Sequence, residues 1–172
     1  MAFFLAVLFT LQRLQSESEL VVMASAGFSL RQLAVPALGA AAIVMMEKGA
    51  AEKAGLKPMA RLVSYGLAGV DPKIMGIGPV PACQKALAKA GLTVNDMDVI
   101  ESNEAFAVQA LAVSCDLKFD AKKTNPNGGA VGLGHPIGAT GAILTVKALY
   151  ELQRTGGRYA LVTMCIGGGQ GI

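Results

Sequence analysis

The sequence predicts an α/β domain over residues 40–172, in which helices are layered on a mixed sheet, behind a first segment of different character. Short apolar runs alternate along it with stretches of helical composition, as expected of strands and helices packed in layers. Glycines, 21 in all, mark many of the boundaries. The apolar fraction of 53% indicates either a deeply buried sheet or some membrane contact.

The first half of this domain yields two strands and two helices. Residues 40–46 form a short, continuous apolar run, which is typical of a strand buried on both faces. Residues 47–54 have helical composition, and Gly55 is a plausible helix stop. A second strand is expected at residues 60–65. A loop rich in glycine and proline then leads to a helix at residues 82–90.

The second half repeats the alternation. A strand at residues 97–100 is followed by a helix at residues 104–113 and by a polar, glycine-rich loop at residues 122–134. A long helix is expected at residues 138–153, and a strand at residues 158–165 leads into three glycines. Another strand is expected to begin where the chain stops.

The first ten residues are almost wholly apolar and are followed at once by polar residues. A membrane-spanning helix needs about 20 apolar residues. A secretory signal carries its positive charge before the apolar stretch, whereas Arg13 follows it. Two interpretations stay open: the end of a membrane span, or a leader joined to an amphipathic helix at residues 19–33.

Three polar clusters lie where predicted strands end: SNEAF from Ser102, NGGA continuing to GHPIGATG, and CIGGGQG from Cys165. His135, in the second cluster, is the side chain best suited to proton transfer near neutral pH. Cys165 precedes glycines whose N–H groups suit an oxyanion site. Each has a plainer alternative: a structural histidine, an inert buried cysteine and, for Asn103, a helix cap.

The composition excludes several classes of function. The net charge of +3 is scattered along the chain and aromatic residues are few, so no nucleic-acid interface is predicted. A single histidine and three cysteines without ligand spacing predict no metal site. The odd number of cysteines indicates reduced thiols and a cytoplasmic location.

The motifs NEAF, GGAxxLGHPIGATG and CIGGGQG, in this order, together with GVDPKIMGIGPVPA upstream, resemble the C-terminal domain of thiolases over about residues 40–172. The resemblance implies the layered fold of that domain. It also implies an acyltransferase that acts on acyl-CoA, by thiolytic cleavage of 3-ketoacyl-CoA or by Claisen condensation of acetyl-CoA. Coenzyme A or acyl-CoA is then a substrate, and no cofactor or metal is permanently bound.

The resemblance also assigns roles. His135 would activate the nucleophilic thiol and help to form an oxyanion hole, which a water held by Asn103 would complete. Cys165 would act as the acid/base at the acetyl methyl carbon, and the backbone N–H of Gly167 would stabilise the other oxyanion. Three further positions would contact the acyl and pantetheine parts of the substrate: Met75, Ala105 and Phe106.

The chain departs from the family in one decisive respect. In thiolases the nucleophilic cysteine belongs to the N-terminal half, and none of the three cysteines here matches it. We therefore expect residues 40–172 to be inactive alone. They are also expected to lack the last strand of the domain. Their expected partner is a thiolase N-terminal half, in a family whose members are typically homodimers or homotetramers.

The stretch RLQSESELVVMASAGFSLRQLAVPALGA, from Arg13 to Ala40, is similar to subunits of the lipopolysaccharide-export permease family. Residues 1–39 are therefore expected to be a helical segment foreign to the thiolase fold, with membrane association possible through it. Two alternatives to an acyltransferase remain: a piece of a membrane-transport protein, and a non-catalytic half that binds coenzyme A and pairs with a separate chain.

Overall fold

The computed structural model describes residues 45–172. The chain divides into two compact units, of which the larger comprises Glu47–His135 and Leu144–Ile172 and the smaller includes Pro136–Ile143. Asn103, His135 and Cys165 all belong to the larger unit.

Helices and strands alternate in the described part. The helices are α1 Lys48–Lys53, α2 Pro79–Ala90, α3 Ala107–Leu117, α4 Ala130–Leu133 and α5 Thr140–Thr155. The strands are β1 Ala68–Gly69, β2 Val99–Ser102, β3 Ala160–Thr163, β4 Cys165–Ile166 and β5 Gln170–Gly171. Two short 3-10 segments, Pro72–Ile77 and Val94–Asp96, precede α2 and β2.

The strands form two small sheets. β2 and β3 are parallel, in a register that runs from Val99 opposite Ala160 to Ser102 opposite Thr163. β1, β5 and β4 form an antiparallel sheet in that order. Parallel and antiparallel pairs therefore coexist with packed helices, and the predicted α/β class with a mixed sheet is confirmed.

The core lies where α2 and α3 cover β2 and β3. All four positions of β2 are buried, which explains its continuous apolar start. The buried cluster combines side chains from both helices, both strands and the turn before β2: Cys83, Leu87, Met97, Ile100, Val113, Leu117 and Leu161.

The predicted strand at residues 60–65 is wrong. The segment has no regular structure, and side chains of α2 bond to the backbone at its end and just beyond it. Lys89 Nζ donates to the Tyr65 carbonyl at 3.0 Å, and Lys85 Nζ donates to that of Leu67 at 3.2 Å. In the strand expected at residues 40–46, Met45 and Met46 are exposed and lie outside any strand. Residues 40–44 and the N-terminal segment 1–39 lie outside the described residues.

Other boundaries move by a few residues. α2 begins at Pro79 rather than at residue 82, because proline is well suited to a first helical turn. α3 is capped at Phe106, so the interpretation of Asn103 as a helix cap is wrong. The strand expected at residues 158–165 is interrupted at Met164 and contributes to both sheets.

Candidate active site

Asn103 extends the parallel ladder beyond the end of β2. Its backbone N–H donates to the Thr163 carbonyl at 2.9 Å, and its side chain is buried. The side-chain Nδ2 lies 3.4 Å from Nε2 of His135, a long hydrogen bond that requires an unprotonated Nε2. The structure thus brings together the amide and the imidazole that the motifs single out.

Asn125 joins the loop that carries His135 to β2. Its backbone N–H donates to the Ile100 carbonyl at 2.8 Å. Its side-chain amide then acts as one more strand residue: Oδ1 accepts from the Ser102 N–H and Nδ2 donates to the Ser102 carbonyl, both at 2.9 Å. A left-handed φ of 47°, which asparagine tolerates better than most residues, aims the amide at this position.

Glu104 holds the same loop further along. Its carboxylate accepts from Asn125 Nδ2 and from the Val131 N–H, each at 3.0 Å. The carboxylate lies where a Cβ on residue 129 would stand, which explains why Gly129 occupies that position. Glu104 directly follows Asn103, so neighbouring residues of the NEAF motif contact the imidazole and hold the loop that carries it.

Two more carboxylates reach this loop through other side chains. Glu101 is fully buried on β2, and Lys147 Nζ on α5 donates to its Oε2 at 2.7 Å and also to the Gly128 carbonyl. Burial raises the pKa of Glu101, although the hydrogen bond and the charge of Lys147 act in the opposite direction.

Glu151 on α5 accepts from Asn127 Nδ2 at 2.8 Å and forms a two-point ion pair with Arg154. These bonds, that with Arg154 first, lower the pKa of Glu151 to about 2.

Cys165 is buried in β4, two residues after Thr163, whose carbonyl accepts the Asn103 N–H. The Cα atoms of Cys165 and Thr163 therefore lie within about 7 Å of each other. Desolvation raises the pKa of the Cys165 thiol. Burial therefore favours the neutral thiol over the thiolate. A thiolate formed there is the stronger base, which suits the removal of a weakly acidic carbon-bound proton.

The hairpin between β4 and β5 turns through three glycines. Gly168 and Gly169 have φ values of 83° and 88°, which favour glycine, and the Gly169 carbonyl accepts from the Val70 N–H at 2.6 Å. Gly167 is exposed, with open space where a Cβ would stand. A bound carbonyl can therefore approach its backbone closely.

The predicted substrate-contacting residues adjoin these groups. Met75 lies half-buried in the 3-10 segment Pro72–Ile77, which packs against both α3 and β4. Ala105 is half-buried and Phe106 exposed, and both directly precede α3. Cys83 lies buried in the core, and Cys115 is exposed on α3.

The sequence analysis missed three residues that support the site: Glu101, Asn125 and Lys147. Asn125 precedes a proline, a turn signal that reveals no long-range bond. Lys147 gave a clearer signal, because it is the one charged residue in the apolar stretch AILTVKALY of α5.

Residues 45–172 offer neither a cluster of metal ligands nor a membrane-spanning helix. No group of three or more histidine, cysteine, aspartate or glutamate side chains there could hold a metal ion. No helix in that range is both long and apolar enough to cross a bilayer.

Comparison with known families agrees with both parts of the sequence. The family model for the thiolase C-terminal domain matches residues 56–172. The model for the lipopolysaccharide export system permease LptF/LptG matches residues 1–46. The first match thus ends at residue 46, and the second begins at residue 56.

Individual relatives cover the same C-terminal part. The chain is 71% identical over 133 residues to the beta-ketothiolase BktB of Cupriavidus necator, covering 77% of this chain and 34% of that protein. It is 58% identical over 134 residues to the acetyl-CoA acetyltransferase of Escherichia coli, again with 78% and 34% coverage. The chain thus spans about a third of the length of these relatives.

Solved structures agree with the fold. Human mitochondrial 3-ketoacyl-CoA thiolase matches with a TM-score of 0.71 and 54% identity, over 73% of this chain and 32% of that one. The same enzyme has been solved in complex with CoA and matches equally well, with a TM-score of 0.71. The matched family model, the identities and the shared fold together show that this chain belongs to the thiolase family, through its C-terminal domain.

Proposed function

We propose that residues 40–172 supply the acid/base and oxyanion half of a thiolase active site that acts on acyl-CoA, by thiolytic cleavage of 3-ketoacyl-CoA or Claisen condensation of acetyl-CoA. The observation that carries the proposal is the contact of Asn103 with His135, beside the strand that leads to Cys165. Imidazole, amide and thiol come from three separate segments, and their arrangement suits acyl transfer with carbon–carbon bond chemistry.

Each group has a role suited to its surroundings. His135 accepts the proton of the nucleophilic thiol, and together with a water held by Asn103 it forms one oxyanion hole. Cys165 exchanges a proton with the α-carbon of the second acyl group, for which a raised pKa is useful. The Gly167 N–H stabilises the enolate oxygen that this proton transfer creates.

The substrate is expected to reach these groups along the start of α3. Ala105 and Phe106 line the pantetheine path and Met75 lines the acyl pocket, in agreement with the packing of the 3-10 segment against α3 and β4. A related thiolase has been solved in complex with CoA, which supports coenzyme A as the carrier here. No permanently bound cofactor is needed for this chemistry.

The nucleophile must come from elsewhere. Cys83 is packed in the core and Cys115 lies exposed on the side of α3, so neither is placed for attack beside His135. We propose that a thiolase N-terminal half supplies it, in the homodimeric or homotetrameric assembly typical of the family. The 172-residue chain alone is expected to show no turnover of acetoacetyl-CoA with coenzyme A.

A chimera tests the proposal. The 133 matched residues of the Cupriavidus necator enzyme are replaced by those of this chain, and thiolysis of acetoacetyl-CoA is followed. The chimera is expected to retain activity. Cys165→Ala or His135→Ala should lower kcat by a factor of about 10² to 10⁴, the usual contribution of a general acid or base.

Cys115→Ala is the matched control and should leave activity unchanged, because this thiol is exposed and belongs to none of the three motifs. A folded but inactive chimera, or one in which Cys165→Ala retains full activity, would contradict the proposal. Turnover by the unmodified chain alone would contradict only the expected need for a second half.

A second candidate function concerns the other end of the chain. The match of residues 1–46 to the lipopolysaccharide export permease model favours a membrane-transport origin for that part, and we propose 1–39 and 40–172 as segments of separate origin. Residues 40–172 are proposed to lie in the cytoplasm, consistent with three free thiols. Fractionation of cells expressing the chain and a variant without residues 1–39 tests membrane association, which only the longer chain should show.

A further inference from the structure

The segment 125–131, which leads to His135, is anchored by three carboxylates. Glu104 binds it at Asn125 and Val131, and Glu151 binds it through Asn127. The third carboxylate, Glu101, acts indirectly through Lys147. The Lys147 ammonium donates both to Glu101 on β2 and to the Gly128 carbonyl in the segment.

Lys147 therefore links three elements with one ammonium group. Its side chain is 16% exposed and that of Glu101 is 0% exposed, so water competes little for either. A pair this deeply buried is weak evidence for stability, since its desolvation offsets much of the attraction. The second bond of Lys147 gives the pair a use besides charge neutralisation, because it fixes the backbone at the turn of the loop.

Only a short segment separates Gly128, which Lys147 holds, from His135 in the candidate site. Gly128 lies just before α4, and Gly134 caps the C-terminal end of α4 by donating its N–H to the Ala130 carbonyl. His135 follows directly, with Asn103 on β2 as its neighbour. Asn103 and Glu101 lie on the same face of the extended chain, since they are two residues apart. One strand thus anchors the loop with one side chain and contacts its histidine with another.

We propose that Lys147 is a positioning residue of the candidate active site, which holds the Gly128 turn against Glu101 and so places His135 beside Asn103. Its importance for catalysis rests on the proposed function. The structural claim does not, and it can be measured on the full chain without substrate.

Hydrogen–deuterium exchange of peptides within residues 126–135 provides the readout. Lys147→Met removes both bonds and leaves Glu101 without a partner, so exchange in this region should accelerate about tenfold or more, the equivalent of losing one charge-assisted hydrogen bond. Lys122→Met is the matched control: the same chemical change on an exposed residue near the loop should leave exchange unaltered.

The double variant Glu101→Met/Lys147→Met separates positioning from charge neutralisation. An apolar pair commonly restores the stability lost when one buried charge is removed, but it cannot bind the Gly128 carbonyl. We expect its urea midpoint to return towards that of the unmodified chain while the fast exchange of residues 126–135 persists. Carbethoxylation of His135, the single histidine, should also be faster than in the unmodified chain.

Two results would overturn the proposal: unaltered exchange in folded Lys147→Met, or exchange that recovers together with stability in the double variant. If Lys147→Met does not fold, the double variant alone decides between these outcomes. An inactive chimera combined with the expected exchange pattern would count against the proposed function and leave the role of Lys147 standing.

Discussion

Asn125→Ala should destabilise the domain severely for a residue outside the apolar core. The side-chain amide satisfies both backbone groups of Ser102, a buried residue, at 2.9 Å each, and donates to Glu104 at 3.0 Å. Leaving the two backbone groups unpaired costs about 1 kcal/mol each, and the bond to the partly exposed Glu104 adds about 0.5 kcal/mol. Alanine at the left-handed φ of 47° adds about 1 kcal/mol more.

The free energy of unfolding should therefore fall by about 3 to 4 kcal/mol, measured by urea denaturation followed by circular dichroism with an unchanged m-value. Asn125→Gly is the matched control, because glycine loses the same bonds and accepts the same φ. It should be the more stable of the two variants by about 1 kcal/mol. A loss below about 1 kcal/mol in Asn125→Ala would refute the view that this amide completes the strand ladder.

Three more outcomes are expected. Glu151→Gln should destabilise the chain at pH values above 4.5, with the difference vanishing as pH falls towards 2, because the folded pKa is lowered to about 2; a pH-independent difference in urea titrations would contradict this. Iodoacetamide at neutral pH should modify exposed Cys115 well before buried Cys165, by mass spectrometry, unless urea is added. Gly129→Ala should cost about 1 to 2 kcal/mol by displacing a carboxylate, whereas Gly132→Ala, with open space around it, should be neutral or stabilising.

The sequence by itself determined the class of fold and the identity of the motifs. Alternation of apolar runs with helical stretches predicted α/β layers. The predicted helix ended at residue 90, just before Gly91, and in the structure Gly91 caps α2 with a left-handed φ of 66°. The motifs around Asn103, His135 and Cys165 indicated the family, because their residues and their order resemble the C-terminal motifs of thiolases. These features are local, so they can be read from neighbouring residues.

Only the tertiary structure decided which backbone groups are satisfied by distant side chains. Residues 60–65 have the composition of a strand, yet the segment is irregular, and lysines of α2 bond to the carbonyls of Tyr65 and Leu67 at its end. Likewise, the pattern predicted one strand at residues 158–165, but a break at Met164 sends Cys165 into another sheet. The bonds that Glu101, Asn125 and Lys147 make around the loop leading to His135 join residues 19 to 46 positions apart, which local periodicity cannot reveal.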